Sequence, residues 1–522
     1  MDKRVVVVGG GLAGLTAAAY LAKAGIKVLL CEKQAKIGGL VNSFNYKGFT
    51  FDGGIRALEN SGIVQPMLRQ LGLDIPLVSN GVSIGIEQDV VNLTAKSSLE
   101  DYLNLLRLKF PANSQEIDRF GQEIEKIMQY MDVLYGIDNP LFLDLKADRQ
   151  YLMKTILPWM FKYIVTIGKI DKLDQPVVEY LQRFLSSPAL IDMIAQHFFQ
   201  ATPTFFALSY FSLYLDYSYP LGGTGVLTEK MKEFILEHQG EIQTETEITR
   251  INLDGHQLED ANGKVYPYQK LIWAADMKRL YSVVDQETIK DQKLMQSVDA
   301  RRESLSGLAG NDSILTLYLT VDLDKSYFAR KSNAHFFYTP NRQGLSQLAT
   351  ADVSEKTSKE WLTRYFRLTT YEISCPVLRD ERLAPAGQTG LIVSTLFDYS
   401  LVRKIADMDW YDDFKSFCAE TIINVLSESI YPDLQDKVMD SMVSTPLTLQ
   451  RLTGNTDGAI TGWAFTNAQL PNVHKMTRVA KSVETPVPDV YQAGQWVFSP
   501  SGLPISILTG KLAADRVIKD LK

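Results

Sequence analysis

The run Val5-Val6-Val7-Val8, followed by Gly9-Gly10-Gly11-Leu12-Ala13-Gly14, constrains this chain more than any other stretch. Four β-branched residues in succession suit a short strand buried on both faces. The glycines then make a turn, and Leu15 to Lys23, rich in alanine and leucine, reads as a helix. Gly9, Gly11 and Gly14 carry the spacing Gly-x-Gly-x-x-Gly. Between a strand and a helix, the first glycine permits the tight turn and the second lets backbone approach a pyrophosphate. The third lets helix and strand pack closely. The helix start then offers free N–H groups and the positive end of its dipole to the phosphates.

A second strand, Lys27 to Cys31, ends in Glu32. An acidic residue about 20 residues beyond the glycines is positioned for ribose hydroxyls, and its charge disfavours a 2′-phosphate. FAD or NAD is therefore expected over NADP. No second strand–glycine–helix fingerprint occurs, so no resident nicotinamide domain is expected. Electrons would then pass through an external acceptor or donor.

At 522 residues the chain is long enough for two domains or one interleaved pair. Its net charge of −7 argues against nucleic acid as a partner. Cys31, Cys375 and Cys418 are far apart and form no metal or redox spacing. They read as core thiols of a reduced, cytoplasmic protein. The five histidines are equally scattered, and no metal site is expected. The first strand stands at the start of the sequence, so no signal peptide is expected. No apolar run reaches the roughly 18 residues a spanning helix needs.

After Glu32 come Gly38-Gly39, an alternating strand from Phe44 to Phe51, and Asp52-Gly53-Gly54-Ile55-Arg56. Taken together, Gly9 to Gly14, Glu32, Gly38-Gly39 and Asp52-Gly53-Gly54 resemble the N-terminal signature of the FAD-dependent amine oxidase and phytoene desaturase superfamily. The resemblance implies that this part holds the whole FAD, with Gly38, Gly39, Asp52, Gly53 and Gly54 lining the flavin. Arg56 stands where retinol-saturase-like sequences tend to carry histidine. It is the candidate catalytic residue, either anchoring a polar or anionic end group or forming an ion pair.

From about Gly72 to Pro220 the apolar spacing turns helical, notably over Leu103 to Phe110 and Ile117 to Leu134. Leu152 to Ile164 is apolar and aromatic yet carries lysines. Arg149, Lys154, Lys162, Lys169 and Lys172 make its surroundings basic. A second aromatic patch, Ala189 to Tyr219, includes Phe198, Phe199, Phe206, Tyr210, Tyr214 and Tyr217. Both stretches read either as helical core or as a substrate tunnel whose mouth rests on a bilayer. The chain is thus expected in the cytoplasm, with peripheral contact to the inner face of a membrane in the second reading.

Tyr219-Pro220-Leu221-Gly222-Gly223, a helix over Thr228 to His238 and a strand over Glu241 to Ile251 resemble a block of carotenoid desaturases and isomerases. The resemblance implies that Ile248 meets adenine through its backbone. Ser313 to Asp322 alternates as a strand, with Ile314, Thr316 and Tyr318 on one side. Gly390 to Phe397 is another strand and Phe414 to Ser427 a helix, which together point to a sheet covered on one side by helices. Thr445 to Thr448 and Gly458 to Trp463 again resemble the family, in its carotenoid isomerase and retinol saturase branch.

Near the end, Val490 to Gly494 and Trp496, a loop through Gly502-Leu503-Pro504, and a helix from Ile505 to Leu521 form a strand–loop–helix unit. Such a helix N-terminus can stabilise negative charge on a reduced flavin. The family resemblance implies that Gly494, Gly502, Leu503 and Pro504 close the FAD site. Trp496 either walls that site or packs beneath it. The expected fold is α/β, a discontinuous Rossmann-type FAD-binding domain (1–75, 220–276, 485–522) with an inserted α+β substrate domain (76–219, 277–484) bearing an apolar helical lobe.

The implied activity is flavin redox chemistry on C–C or C=C bonds of a long apolar polyene or isoprenoid: desaturation, saturation or cis–trans isomerisation. A lipophilic small molecule would be the substrate. Two alternatives share the fold. One is an amine oxidase or a protoporphyrinogen-oxidase-like enzyme, although the sequence places no aromatic cage beside the flavin. The other is a prenyl-binding protein like the GDP-dissociation inhibitors, without flavin; an intact Glu32 and C-terminal motif argue against it.

Overall fold

In the computed structural model, which describes residues 4–143, 149–348 and 353–522, the valine run is the middle strand of a five-stranded parallel sheet. Across the sheet the strands are Glu241–Gln243, Val28–Cys31, Val5–Val8 (β1), Lys270–Trp273 and Val490–Gln492. Val5 and Val7 face one layer and Val6 and Val8 the other, none of them more than 6% exposed. Neither face of β1 meets water, which is why four β-branched residues can follow one another. One layer holds helices Leu12–Lys23 (α1), Val226–Glu237 and Leu503–Leu521. The other holds an antiparallel sheet of Ile248–Asn252, Gln257–Asp260 and Val265–Pro267, with helix Met277–Val283. The two ends of the chain lie side by side. Gly510 of the terminal helix is so close to α1 that an added Cβ would sit 2.4 Å from the Ala13 carbonyl oxygen.

Three local expectations are corrected. α1 begins at Leu12, not Leu15, because Gly11 is already its N-cap and Gly14 lies in its first turn. The stretch Phe44 to Phe51 is a hairpin, Ser43–Tyr46 paired with Phe49–Asp52. Lys47 and Gly48 both take positive φ there, the mark of a type I′ turn. Glu241 to Ile251 is two strands in two sheets, Glu241–Gln243 and Ile248–Asn252. The chain leaves the parallel sheet because the N–H groups of Glu245 and Thr246 donate to the carbonyls of Gln34 and Glu32, past the end of the neighbouring strand.

The second large sheet has seven strands in the order Val438–Ser444, Ser313–Val321, Thr389–Phe397, Tyr371–Ser374, His335–Thr339, Val82–Ile86 and Asp89–Leu93. All its pairs are antiparallel except His335–Thr339 with Val82–Ile86. Helices Lys359–Leu368, Tyr399–Asp407 and Tyr411–Ser429 bury one face, to which Leu315, Leu317, Phe336, Tyr338 and Val393 contribute. By the two-residue strand period, Ile314, His335, Phe337, Glu372 and Ser394 turn to the opposite face, which borders a cavity.

Helices Ser98–Lys109, Ser114–Tyr135, Pro188–Ala195 and Thr204–Tyr214 form a lobe with its own core. Helix Leu157–Ile170, preceded by a π-turn over Leu152–Ile156, lies outside it, with the Trp159 indole N–H bonded to the Val133 carbonyl. It buries only Thr166 and Ile167. Phe161 is 73% exposed and Ile164 64%, beside exposed Met153, Met160 and Val165. Lys154, Lys162, Lys169 and Lys172 flank this surface and are exposed as well; the side chain of Arg149 lies outside the described residues. No helix among the described residues is long and apolar enough to cross a membrane.

Candidate active site

β1 ends at a turn where backbone crowding dictates glycine. Gly9 has φ +105°, and at Gly14 an added Cβ would fall 1.9 Å from the Gly9 carbonyl oxygen. Gly11 differs. Nothing lies within 4 Å of its would-be Cβ, and the space beyond is a cavity of about 880 Å³. α1 starts at this opening with no side chain capping it, so its first N–H groups and dipole face the cavity. Gly38 N–H donates to the Gly10 carbonyl at 2.8 Å, and Gly38 pairs with Gly11 in an isolated bridge. The second glycine pair thus stacks on the first.

Glu32 borders the same opening. Its carboxylate accepts from Gly10 N–H at 2.6 Å and Gln34 N–H at 2.8 Å. Ile248 is buried and lines the cavity. From the other end of the chain come Gly494, Gly502 and Leu503, with the Gly494 N–H donating to Thr509 Oγ1 at 3.0 Å. Trp496 is both wall and packing: it lines the cavity and stands edge-on to the fully buried Trp463, whose indole N–H donates to the Trp496 carbonyl.

Of the residues singled out in the sequence, Gly9, Gly11, Glu32, Gly38, Gly39, Gly54, Arg56, Ile248, Gly494, Gly502 and Leu503 meet around this one cavity. Gly14, Asp52, Gly53 and Pro504 do not reach its surface. For Asp52 the structure corrects the expectation with a different role. Its buried carboxylate accepts from Ser43 Oγ (2.9 Å), Tyr219 OH (2.8 Å), Thr224 N–H (2.8 Å) and Thr224 Oγ1 (2.9 Å). It ties the Tyr-Pro-x-Gly-Gly segment to the hairpin.

Arg56 is 3% exposed and borders the cavity. Its guanidinium donates to the carbonyls of Asp52 and Gly54 and to Ser394 Oγ at 3.2 Å, while Nε is buried without a partner. Of the two roles the sequence left open, an ion pair is not formed with any described carboxylate; backbone carbonyls hold the charge.

The far wall carries groups the sequence reading missed. His335 and Glu372 project from paired strands, with Phe337 opposite Glu372 and Glu372 opposite Ser394. His335 Nε2 stands 2.9 Å from Glu372 Oε1, yet the two are not aligned as a hydrogen bond. Asn80 Nδ2 lies 3.3 Å from His335 Nδ1. Donation from that amide leaves Nδ1 as an acceptor and puts the proton of a neutral imidazole on Nε2. Burial lowers the His335 pKa, and Glu372 opposes this without reversing it. Burial alone would raise Glu372, but His335, Arg56 and Arg379 together hold it below the usual carboxylate range. Tyr210, Tyr214, Tyr217 and Phe337 add an aromatic wall, with the Tyr214 and Phe337 ring centres 5.0 Å apart. The only sequence signal for the pair was a histidine and a glutamate interrupting otherwise apolar strands.

Comparison with known proteins agrees with this geometry. Residues 12–322 match the family model for flavin containing amine oxidoreductases. A 4,4′-diapolycopene oxygenase from Methylomonas sp is 23% identical over 540 residues, covering 100% of this chain and 99% of that one. A 4,4′-diapophytoene desaturase (4,4′-diaponeurosporene-forming) from Staphylococcus aureus is 21% identical, covering 99% of each. Among solved structures, an oxidoreductase from Methanosarcina mazei superposes with a TM-score of 0.61 at 14% identity, covering 99% of this chain and 100% of that one. The chain belongs to the flavin-containing amine oxidoreductase family and is an FAD-dependent oxidoreductase.

Proposed function

We propose that this enzyme carries out redox chemistry on carbon–carbon bonds of a long apolar polyene or isoprenoid. The observation that carries the reading is a single cavity bordered at once by the glycine turns and by the aromatic wall of Tyr210, Tyr214, Tyr217 and Phe337. The carotenoid-type substrates in the names of the two relatives support the same class.

The residues fit a dinucleotide. Gly11 leaves open the approach to the α1 N-terminus that a pyrophosphate needs, and Glu32 sits where ribose hydroxyls would compete for its carboxylate. Gly38, Gly39, Gly54, Gly494, Gly502 and Leu503 would border the flavin, and the backbone of Ile248 the adenine. Gly14 and Pro504 set the helices behind them, and Gly53 the loop. Residues 1–75, 220–276 and 485–522 would then hold the cofactor and the rest the substrate. When bound, FAD supplies a ring that accepts or returns a hydride, and an external acceptor or donor completes the cycle. The N-terminus of helix Leu503–Leu521 favours negative charge at its end of the cavity. Trp496 and Trp463 back the site and keep water out.

With a dinucleotide in the glycine-rich part, the aromatic part of the cavity would take one end of a long chain. Helix Leu157–Ile170 suits a surface that meets lipid: Phe161, Ile164 and Met160 are exposed on it, with lysines able to reach headgroups. Its Trp159 indole bonds the Val133 carbonyl of helix Ser114–Tyr135, which shares a core with helix Thr204–Tyr214, the bearer of the cavity residues Tyr210 and Tyr214. We read helix Leu157–Ile170 as the membrane contact through which substrate enters.

Anaerobic reduction of the bound flavin, followed by addition of C30 and C40 polyenes, tests the reaction. Reoxidation by a polyene, or isomerised product with the flavin still reduced, is expected. A flavin that reacts with amines and ignores every polyene in both redox states would overturn the reading. Co-sedimentation with anionic vesicles, weakened in Phe161→Asp/Ile164→Asp, tests the membrane contact. Equal sedimentation of both proteins would refute it.

A further inference from the structure

The cavity wall formed by the second sheet is too polar for a pure hydrocarbon. Glu372 keeps 33% of its side chain exposed to the cavity, whereas its partner His335 is 3% exposed. His335 Nε2 and Arg56 Nε are both buried without a hydrogen-bond partner. A hydrocarbon end pressed against this wall would strip water from the Glu372 carboxylate and return nothing, which disfavours its binding.

Charge narrows what does fit. The Arg56 and Arg379 guanidiniums both act electrostatically on Glu372 and His335. An ammonium group would meet the Arg56 guanidinium at the cavity wall and only Glu372 as a fully ionised carboxylate beside it. Asp52 accepts from four neutral donors, and burial pushes Glu59, bonded to Ser61, up to about 7. A carboxylate or phosphate would meet Glu372 itself. A neutral hydroxyl meets neither repulsion and donates to the partly exposed Glu372 carboxylate. Phe337 beside Glu372, with Tyr214 and Tyr217 behind, supplies apolar surface for the carbons that carry it.

We propose that the His335–Glu372 wall is a subsite for a hydroxyl end group, so that the substrate is an isoprenoid or polyene alcohol rather than a bare hydrocarbon. This rests on the isoprenoid reading above and adds to it the polar end of the substrate. In this arrangement Glu372 is the acceptor, with the His335 imidazole packed 2.9 Å from its Oε1.

The test is equilibrium binding to flavin-loaded protein, followed by calorimetry and by perturbation of the flavin absorbance. Four C20 probes differ only at one end: geranylgeraniol, its methyl ether, the corresponding hydrocarbon and geranylgeranylamine. The alcohol should bind about tenfold or more tightly than each of the others, a difference of about 1.4 kcal/mol or more. Glu372→Leu should erase that preference while leaving affinity for the hydrocarbon equal or greater. Glu372→Gln, which keeps an acceptor oxygen and the side-chain volume, should retain part of it. Equal affinity for alcohol, ether and hydrocarbon would overturn the subsite and leave the isoprenoid reading standing. Tightest binding of the amine would overturn it in favour of a cation site. Failure of all four to bind would overturn both. The wild-type series decides the matter even if a variant fails to fold.

Discussion

Gly11 and Gly14 are three residues apart in one motif, yet the structure gives them opposite jobs, and this can be measured. At Gly14 a methyl group would sit 1.9 Å from the Gly9 carbonyl oxygen, where an ordinary contact begins near 3.4 Å. The obstacle is backbone at the end of a fully buried strand and cannot swing aside. Gly14→Ala should therefore cost the upper part of the overpacking range, about 3 kcal/mol, despite the roughly 1 kcal/mol that alanine gains in a helix interior. At Gly11, φ is −71° and ψ 177°, a conformation open to any residue, and nothing occupies the space ahead. Poorer N-capping and a less flexible unfolded chain oppose one another, so Gly11→Val should leave apoprotein stability within about 1 kcal/mol. Its side chain instead fills the approach to the α1 N-terminus. Loss of one charge-assisted hydrogen bond to phosphate is worth about 1.5–3 kcal/mol, so FAD affinity should fall roughly tenfold to a hundredfold. Urea denaturation of the apoproteins and titration with FAD by fluorescence quenching separate the two effects. FAD binding in Gly11→Val within about threefold of wild type would refute the assignment of this opening to the pyrophosphate. An unchanged urea midpoint in Gly14→Ala would refute the packing argument.

Other substitutions probe the groups around the cavity. Asp52→Asn replaces an acceptor of four hydrogen bonds by an amide that turns donors toward donors, and should destabilise the fold by about 2–4 kcal/mol. A variant of unchanged melting temperature that only loses FAD would contradict the structural role given to this carboxylate. Burial pushes the Glu59 carboxyl up to about 7. Between its ordinary value and 7 the native state therefore keeps a proton that the unfolded chain has released, and stability falls as pH rises through that window. Above it the loss is about 3 kcal/mol, so Glu59→Gln should gain that much on wild type between pH ~4.5 and ~8 in urea melts. Parallel pH profiles for the two proteins would sink the idea. Trp463→Ala empties a fully buried site under Trp496 and should cost about 3–5 kcal/mol, read by the same melts. A loss below about 1 kcal/mol would mean that the floor of the cavity is not packed as described.

Much of the nucleotide-binding half was legible because its signals are local. The turn at Gly9 to Gly14 needs glycine for reasons that lie within a few residues, and the valine run declares its burial by composition alone. Even so, the aspartate of the Asp52-Gly53-Gly54 segment takes a role that its local sequence does not show. The sequence marks Asp52 as a flavin neighbour, whereas the folded chain spends it on Tyr219 and Thr224, more than 160 residues away. The reading of Glu241 to Ile251 as one strand failed for a similar reason, since the break follows from hydrogen bonds to Glu32 and Gln34 across the sheet.

The local sequence by itself determined the β1–turn–α1 unit, the acidic residue after the second strand, and the alternation that turns Ile314, Thr316 and Tyr318 to one face. Each depends on torsion preferences and side-chain periods that operate over a few residues. Only the tertiary structure decided that Glu372 lies opposite Phe337 and beside His335, that Arg56 rests on carbonyls rather than a carboxylate, and that all of them share a cavity with Gly11. Strand order and register between distant segments set those contacts. They are fixed by which apolar faces bury one another, a property of the whole chain that no short stretch carries.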